Sequence, residues 1–166
     1  MSKFRCQKQT VLLVGEGYDE EAFLKYLKSQ WVGRDTGLKL TIKNAKGKGA
    51  KHVIDWTIRQ AKNADYDVVA ALLDTDTDWT PTVQKQARTN KIIVLTSDPC
   101  FEAMLLRMIG VTPDIGSKKL KKQFEPYVNG DGTLQENYAK NFNPDVLKKK
   151  RSVEQTIDEL LKLFNV

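Results

Sequence analysis

Short apolar runs alternate with longer stretches of helical periodicity through the first two thirds of the chain. Residues 10–17, Thr-Val-Leu-Leu-Val-Gly-Glu-Gly, stay apolar until they stop at glycines, as a strand buried on both faces of a parallel sheet does. Residues 21–30 place Ala22, Phe23, Tyr26 and Leu27 on one helical face, with Asp19 as the expected N-cap. Residues 33–37 break that helix, and residues 38–43 alternate apolar and polar in the manner of an edge strand. A glycine- and lysine-rich turn over 44–49 feeds a helix over 51–63 with Val53, Ile54, Ile58 and Ala61 inward. Residues 67–74 carry the clearest buried-strand signal and end in Asp74. A loop over 75–81, a helix over 82–89 and a buried strand over 91–97 follow. Pro99 then suits the first turn of a helix carrying Phe101, Met104, Leu105 and Met108.

A strand followed by a helix, repeated four times, predicts an α/β fold. The expected form is an open, mainly parallel, Rossmann-like four-stranded sheet flanked by helices on both faces, with right-handed crossovers. The tail reads differently. Residues 120–127 and 134–142 predict short helices around a turn at 129–132, and residues 145–164 predict a longer helix with Val153, Ile157, Leu160, Leu161 and Phe164 on one face. The expected organisation is an α/β domain over 1–112 with a C-terminal helical extension over 113–166 packed on it.

Composition narrows the chemistry. Cys6 and Cys100 lie far apart and His52 is the single histidine, so a zinc site of the usual Cys/His kind has no donors. A metal here must be a hard cation held by carboxylates, and proton transfer must use Glu, Asp, Lys or Tyr. A net charge of +6 favours an anionic partner, nucleic acid first, with lysines clustered at 43–51, 118–122 and 148–151. No run reaches the roughly 18 apolar residues of a membrane span, and the N-terminus lacks a signal-peptide apolar core, so a cytoplasmic chain without a membrane is expected.

The acids supply the candidate site. Ligands of open α/β sheets bind at the carboxyl ends of the strands. Glu16 follows the first strand, Asp74 closes the third, and Asp76 and Asp78 follow on its loop. If those strands are neighbours, Glu16, Asp74 and Asp76 meet in one pocket, and crowded carboxylates need a cation or protons. Mg²⁺ fits, with Mn²⁺ as the alternative, because it takes oxygen ligands and keeps waters for exchange. Gly15 and Gly17 leave room beside Glu16 for a phosphate to approach the backbone. The competing reading is that acids after strands are helix caps or solvated loop residues; Asp78 is either a further metal ligand or a cap.

Val11-Leu-Leu-Val-Gly-Glu-Gly-Tyr-Asp-Glu20 resembles the first motif of Toprim domains, and Leu72-Leu-Asp-Thr-Asp-Thr-Asp78 resembles their Asp-x-Asp motif. That resemblance implies Glu16 as general acid/base and Asp74 with Asp76 as Mg²⁺ ligands. Ser97-Asp-Pro-Cys-Phe-Glu-Ala-Met-Leu-Leu106 is similar to the Ser-Asn-Pro-x-Phe-Glu-x-Trp-Leu-Leu segment of the RloB-like family, associated with prokaryotic defence loci. Asp98 stands where that family has Asn, and Ala103-Met104 where an aromatic is common. The resemblance tips Glu102 toward a functional role. Glu20 is either a further catalytic carboxylate or a favourable charge in the first helical turn.

Lys46, Lys48 and Lys51 are the candidate nucleic-acid contacts, in or beside a glycine-rich loop that lacks Walker A spacing. His52 reads as structural, Tyr18 as packing or loop, and Cys100 lacks a neighbouring histidine to activate it. The expected function is Mg²⁺-dependent cleavage of DNA or RNA in a defence system of the RloB-like kind. The alternatives are a non-catalytic nucleic-acid-binding or complex-forming subunit working with a partner protein, and a receiver-like phosphoacceptor. The Gly-Glu-Gly loop and the Ser-Asp-Pro-Cys-Phe-Glu segment argue against the last.

Overall fold

Among the described residues, four strands alternate with four α-helices as the sequence predicts, and three further α-helices form the tail. The computed structural model describes residues 8–166; Cys6 and the rest of the N-terminal segment lie outside the described residues. The strands are β1 (Gln9–Gly15), β2 (Leu38–Asn44), β3 (Val68–Asp74) and β4 (Ile92–Ser97), and they form one sheet in the order β2-β1-β3-β4. Every pairing is parallel, with Val11 opposite Val68 and Asp74 opposite Ser97. Helices α1 (Tyr18–Trp31), α2 (Gly49–Ala61), α3 (Pro81–Thr89) and α4 (Phe101–Met108) link or follow the strands.

The α1 crossover steps from β1 outward to β2, and the α2 crossover then returns past β1 to β3. Crossovers of one hand that run in opposite directions must lie on opposite faces. Accordingly α1 and α4 pack with Val11, Leu13, Ala70 and Leu72, while α2 and α3 pack with Leu12, Val14, Ala71 and Leu73. Adjacent strand residues feed opposite cores, so the central strands are apolar throughout.

The tail folds as α5 (Ser117–Phe124), a 3₁₀ turn (Glu125–Val128), a second 3₁₀ turn (Gln135–Tyr138), α6 (Pro144–Lys150) and α7 (Gln155–Leu163). Leu120, Phe124, Leu147, Ile157, Leu160 and Leu161 join the same buried cluster as α1 and α4. Phe23, Phe101, Phe124, Tyr138 and Phe142 form a continuous aromatic group, with Phe23 and Tyr138 centroids 5.3 Å apart. The Thr156 hydroxyl donates to the Thr96 carbonyl at 2.6 Å, which holds α7 against β4.

Several boundaries differ from those the periodicity predicts, α2 and α5 starting two and three residues early. Gly17, not Asp19, is the N-cap of α1, because the Glu20 carboxylate reaches back to accept the Gly17 N–H at 3.1 Å. Pro99 precedes α4, whose N-cap is Cys100. Residues 134–142 contain only a 3₁₀ turn. The helix expected over 145–164 is two helices, broken where Arg151 bonds the Asp158 carboxylate at 2.6 Å and Glu154 bonds Arg107 at 2.6 Å. Val153 in that break is exposed rather than inward. Ion pairs to other elements outweighed local helical preference there. No helix among the described residues is long and apolar enough to cross a membrane.

Phe142 is fully buried in the aromatic group. Phe142→Ala should therefore destabilise the whole chain by about 3–5 kcal/mol in urea denaturation, in one cooperative transition. A loss below about 1 kcal/mol, or a separate early transition, would show that the tail is not part of the common core.

Candidate functional site

The β1–β3 pair is where the chain reverses its direction of travel across the sheet, and crevices form at the carboxyl ends of strands at such a point. Glu16 sits there because its backbone N–H continues the ladder to the Leu72 carbonyl at 3.0 Å. Its side chain crosses to β3, where Oε2 accepts the Asp74 backbone N–H at 2.7 Å from 58 residues away. The Gly47 N–H donates to the Glu16 carbonyl at 2.6 Å, which fixes the β2–α2 loop on the other side. Two of the predicted residues, Glu16 and Asp74, are thus brought together.

Asp76 is positioned by its loop. Its N–H donates to the Pro99 carbonyl at 3.2 Å, and the Thr75 hydroxyl donates to the Asp98 carboxylate at 2.9 Å. Asp98, a departure from the RloB-like pattern, is therefore the acceptor that ties the Asp74–Asp76 loop to the end of β4. Asp78 lies against the start of α2: a Cβ placed on Gly49, whose backbone N–H also bonds Glu16, would lie 3.1 Å from its Oδ2. It does not cap α3 either, since the Thr80 hydroxyl accepts the Val83 N–H at 3.3 Å.

Burial and mutual repulsion push Glu16, Asp19, Glu20 and Asp74 in the protonated direction. Asp74 is pushed up to about 9, first by desolvation and then by the carboxyls of Glu20, Glu16, Glu102 and Asp76. Glu20, 7% exposed, is pushed up to about 8, again chiefly by burial. Glu16 is raised by burial, opposed by the Asp74 N–H and raised further by Asp76 and Glu102. Asp19, expected only as a cap, also rises through burial and the nearby Glu102, partly offset by Lys121. Its single sequence signal was a place two residues beyond a Gly-Glu-Gly turn. Asp74 Oδ1 is buried with no hydrogen-bond partner, as is Asn44 Nδ2 at the end of β2. At the cleft, the Asp74 oxygen is open to a proton, a water or a cation.

A cavity of about 610 Å³ opens beside the acids. Tyr18, Asp19, Glu20, Asp74, Asp76 and Glu102 line it, together with Pro99, Cys100, Leu120 and Lys121 among others. The glycines next to Glu16 serve packing rather than phosphate access. A Cβ on Gly15 would lie 3.1 Å from Glu20 Cβ and 3.2 Å from the Glu21 nitrogen, so α1 occupies that space. Gly49 has φ +83° and a Cβ there would meet Thr77 at 3.0 Å, which lets the β3–α3 loop settle on the start of α2.

The lysines divide. Lys46 and Lys48 are exposed on the loop anchored to Glu16, both with left-handed backbone. Lys51 points along α2 and pairs with Asp55 at 2.9 Å. His52 Nε2 lies 3.0 Å from the Ala45 carbonyl, a structural contact. The Cys100 thiol is pushed up to about 12 by burial and the acids around it, which leaves it unreactive at neutral pH.

No group of three or more His, Cys, Asp and Glu among the described residues is arranged as a metal cage. The donor set nevertheless suits a hard cation: Asp74 offers a buried oxygen without a partner, with Asp76 two residues on. Mg²⁺ is commonly bound through one or two carboxylates, with waters and substrate oxygens completing the octahedron.

The raised acids set a pH dependence. Asp74 and Glu20 keep a proton in the folded chain up to about 9 and about 8, against 3.8 and 4.5 for the unperturbed groups. Folding therefore takes up protons across that window. The stability involved is fully present below about pH 4 and is lost as the pH rises through the folded values. The melting temperature of the metal-free protein should fall between about pH 5 and pH 9, and Glu20→Gln should flatten the fall. A melting temperature independent of pH would refute the protonated cluster.

No protein-family model matches the chain, and neither does any curated protein or solved structure.

Proposed function

We propose that this chain is an Mg²⁺-dependent nuclease that hydrolyses phosphodiester bonds of DNA or RNA, in a prokaryotic defence system of the RloB-like kind. The observation that carries the reading is the junction of Glu16 with Asp74 at the β1–β3 switch point, with one Asp74 oxygen buried and unpartnered. The Toprim-like and RloB-like segments and the basic charge give it its substrate class.

Asp74 and Asp76 are the residues that would hold the cation. Bound there, Mg²⁺ supplies Lewis-acid polarisation of the phosphate and a water of lowered pKa. Asp74 must release its proton on loading, so cation affinity rises with pH. Glu16, held in place by the Asp74 N–H and shifted toward neutrality, is suited to move a proton to or from the reacting oxygens. Glu20 already binds the Gly17 N–H, so its part is to place the start of α1 and keep the cleft acidic. Glu102 adds its charge from the first turn of α4. Lys46 and Lys48 contact the phosphate backbone without reading sequence, whereas Lys51 is committed to Asp55.

Glu16→Gln and Asp74→Asn should each lower cleavage of single- and double-stranded substrates in Mg²⁺ by about 100-fold or more. Both replacements keep side-chain size, and circular dichroism melts check that the fold persists. Cleavage at parental rates by either variant overturns the assignment. Tight binding with no cleavage by the parent in Mg²⁺ or Mn²⁺ would make the chain a nucleic-acid-binding subunit instead. Chelation should abolish cleavage and readdition of Mg²⁺ should restore it.

A further inference from the structure

The cavity beside the acids is larger than metal chemistry requires, and its walls are of two kinds. Its volume of about 610 Å³ lies within the roughly 300–1,000 Å³ typical of sites for small organic ligands. Five acids, Asp19, Glu20, Asp74, Asp76 and Glu102, line it. The rest of the lining includes an aromatic ring, Tyr18, apolar groups of Pro99, Cys100 and Leu120, the small polar residues Ser117 and Thr133, and a single cation, Lys121. Tyr18 is 60% exposed and is the first residue of α1, so its ring packs into no core. Lys121 is exposed on α5 with its charge close enough to act on Asp19.

We propose that this cavity holds one unpaired nucleotide of the substrate strand, next to the phosphate at Asp74, so that the chain acts on single-stranded ends or loops rather than on continuous duplex. The inference rests on the nuclease reading above and names its substrate class. The exposed ring of Tyr18, with Pro99 beside the same cavity, gives a base something to stack on. Stacking of this kind tolerates any base, because every base has a π-face. Lys121 supplies the one positive charge in the lining, suited to the flanking phosphate that the acids would otherwise repel. A base inside a duplex is stacked on both sides and must leave the helix to enter such a cavity. The acids and the enclosure therefore select strands that are already unpaired. Lys46 and Lys48 are absent from this lining and belong to the loop anchored behind Glu16. The strand thus has cationic contacts both in the cavity and on a separate loop.

The test reads binding, not cleavage. Fluorescence anisotropy in Ca²⁺ compares the intact chain with Tyr18→Ala, Lys121→Glu and Lys85→Glu, using a short labelled oligothymidine and a blunt hairpin duplex. Lys85 is exposed on α3, across the sheet from the cavity, and controls for net charge. Tyr18→Ala and Lys121→Glu should each weaken oligothymidine binding about tenfold or more, with hairpin binding changed less than about twofold. Lys85→Glu should alter neither by more than about twofold. Equal losses for oligothymidine and hairpin, an unaffected Tyr18→Ala, or an equal loss in Lys85→Glu would each overturn the proposal. The nuclease reading fails separately, on cleavage by Asp74→Asn, and that failure leaves the anisotropy result standing.

Discussion

The parallel pairing of β1 with β3 is the constraint on which the rest of the site depends. It sets Gly15 opposite Leu72, so the residue after β1 arrives beside the residue that closes β3. Glu16 then accepts the Asp74 N–H, and two acids far apart in the chain share one hydrogen-bonded corner. The same pairing is the point where the crossovers diverge to opposite faces. The crevice and its acids therefore come from a single topological decision.

That decision is costly to the folded state. Glu16, Glu20, Asp74 and Asp76 face one another with Glu102 close by, and burial raises the affinity of Glu16, Glu20 and Asp74 for protons. Backbone N–H groups, rather than counter-cations, hold them in place: Asp74 to Glu16, and Gly17 to Glu20. Amides position a carboxylate but do not cancel its charge, so the cluster carries unmet demand for protons or for a cation. Local destabilisation of this sort is common where a site is built to bind.

The tail contributes to the same place. The Tyr138 hydroxyl donates to the Gly132 carbonyl at 2.7 Å and reaches the Asp19 carbonyl at 3.3 Å, joining the tail to the first turn of α1. The aromatic group beneath it anchors α5, and α5 brings Leu120 and Lys121 to the cavity. Core packing and cavity shape are therefore coupled, and the extension is one wall of the site.

The α/β alternation, the four strands and the strand-end placement of Glu16 and Asp74 were legible in the sequence, because runs such as 10–14 and 67–74 are apolar on both faces and end abruptly in acid. Helix ends were less legible. The cap at Gly17 and the break between α6 and α7 depend on where a carboxylate or guanidinium finds its partner, and for Arg107 and Glu154 those partners lie 47 residues apart. Tertiary structure alone decided which acids converge. It kept Asp74 and Asp76 at the cleft, drew Asp19 to the cavity wall, set Asp78 against Gly49 at the start of α2, and made Asp98 the tether of the acidic loop. Local sequence settles the period of an element and the residue at its end. Which ends meet is set by strand order, and strand order is fixed by packing over the whole chain.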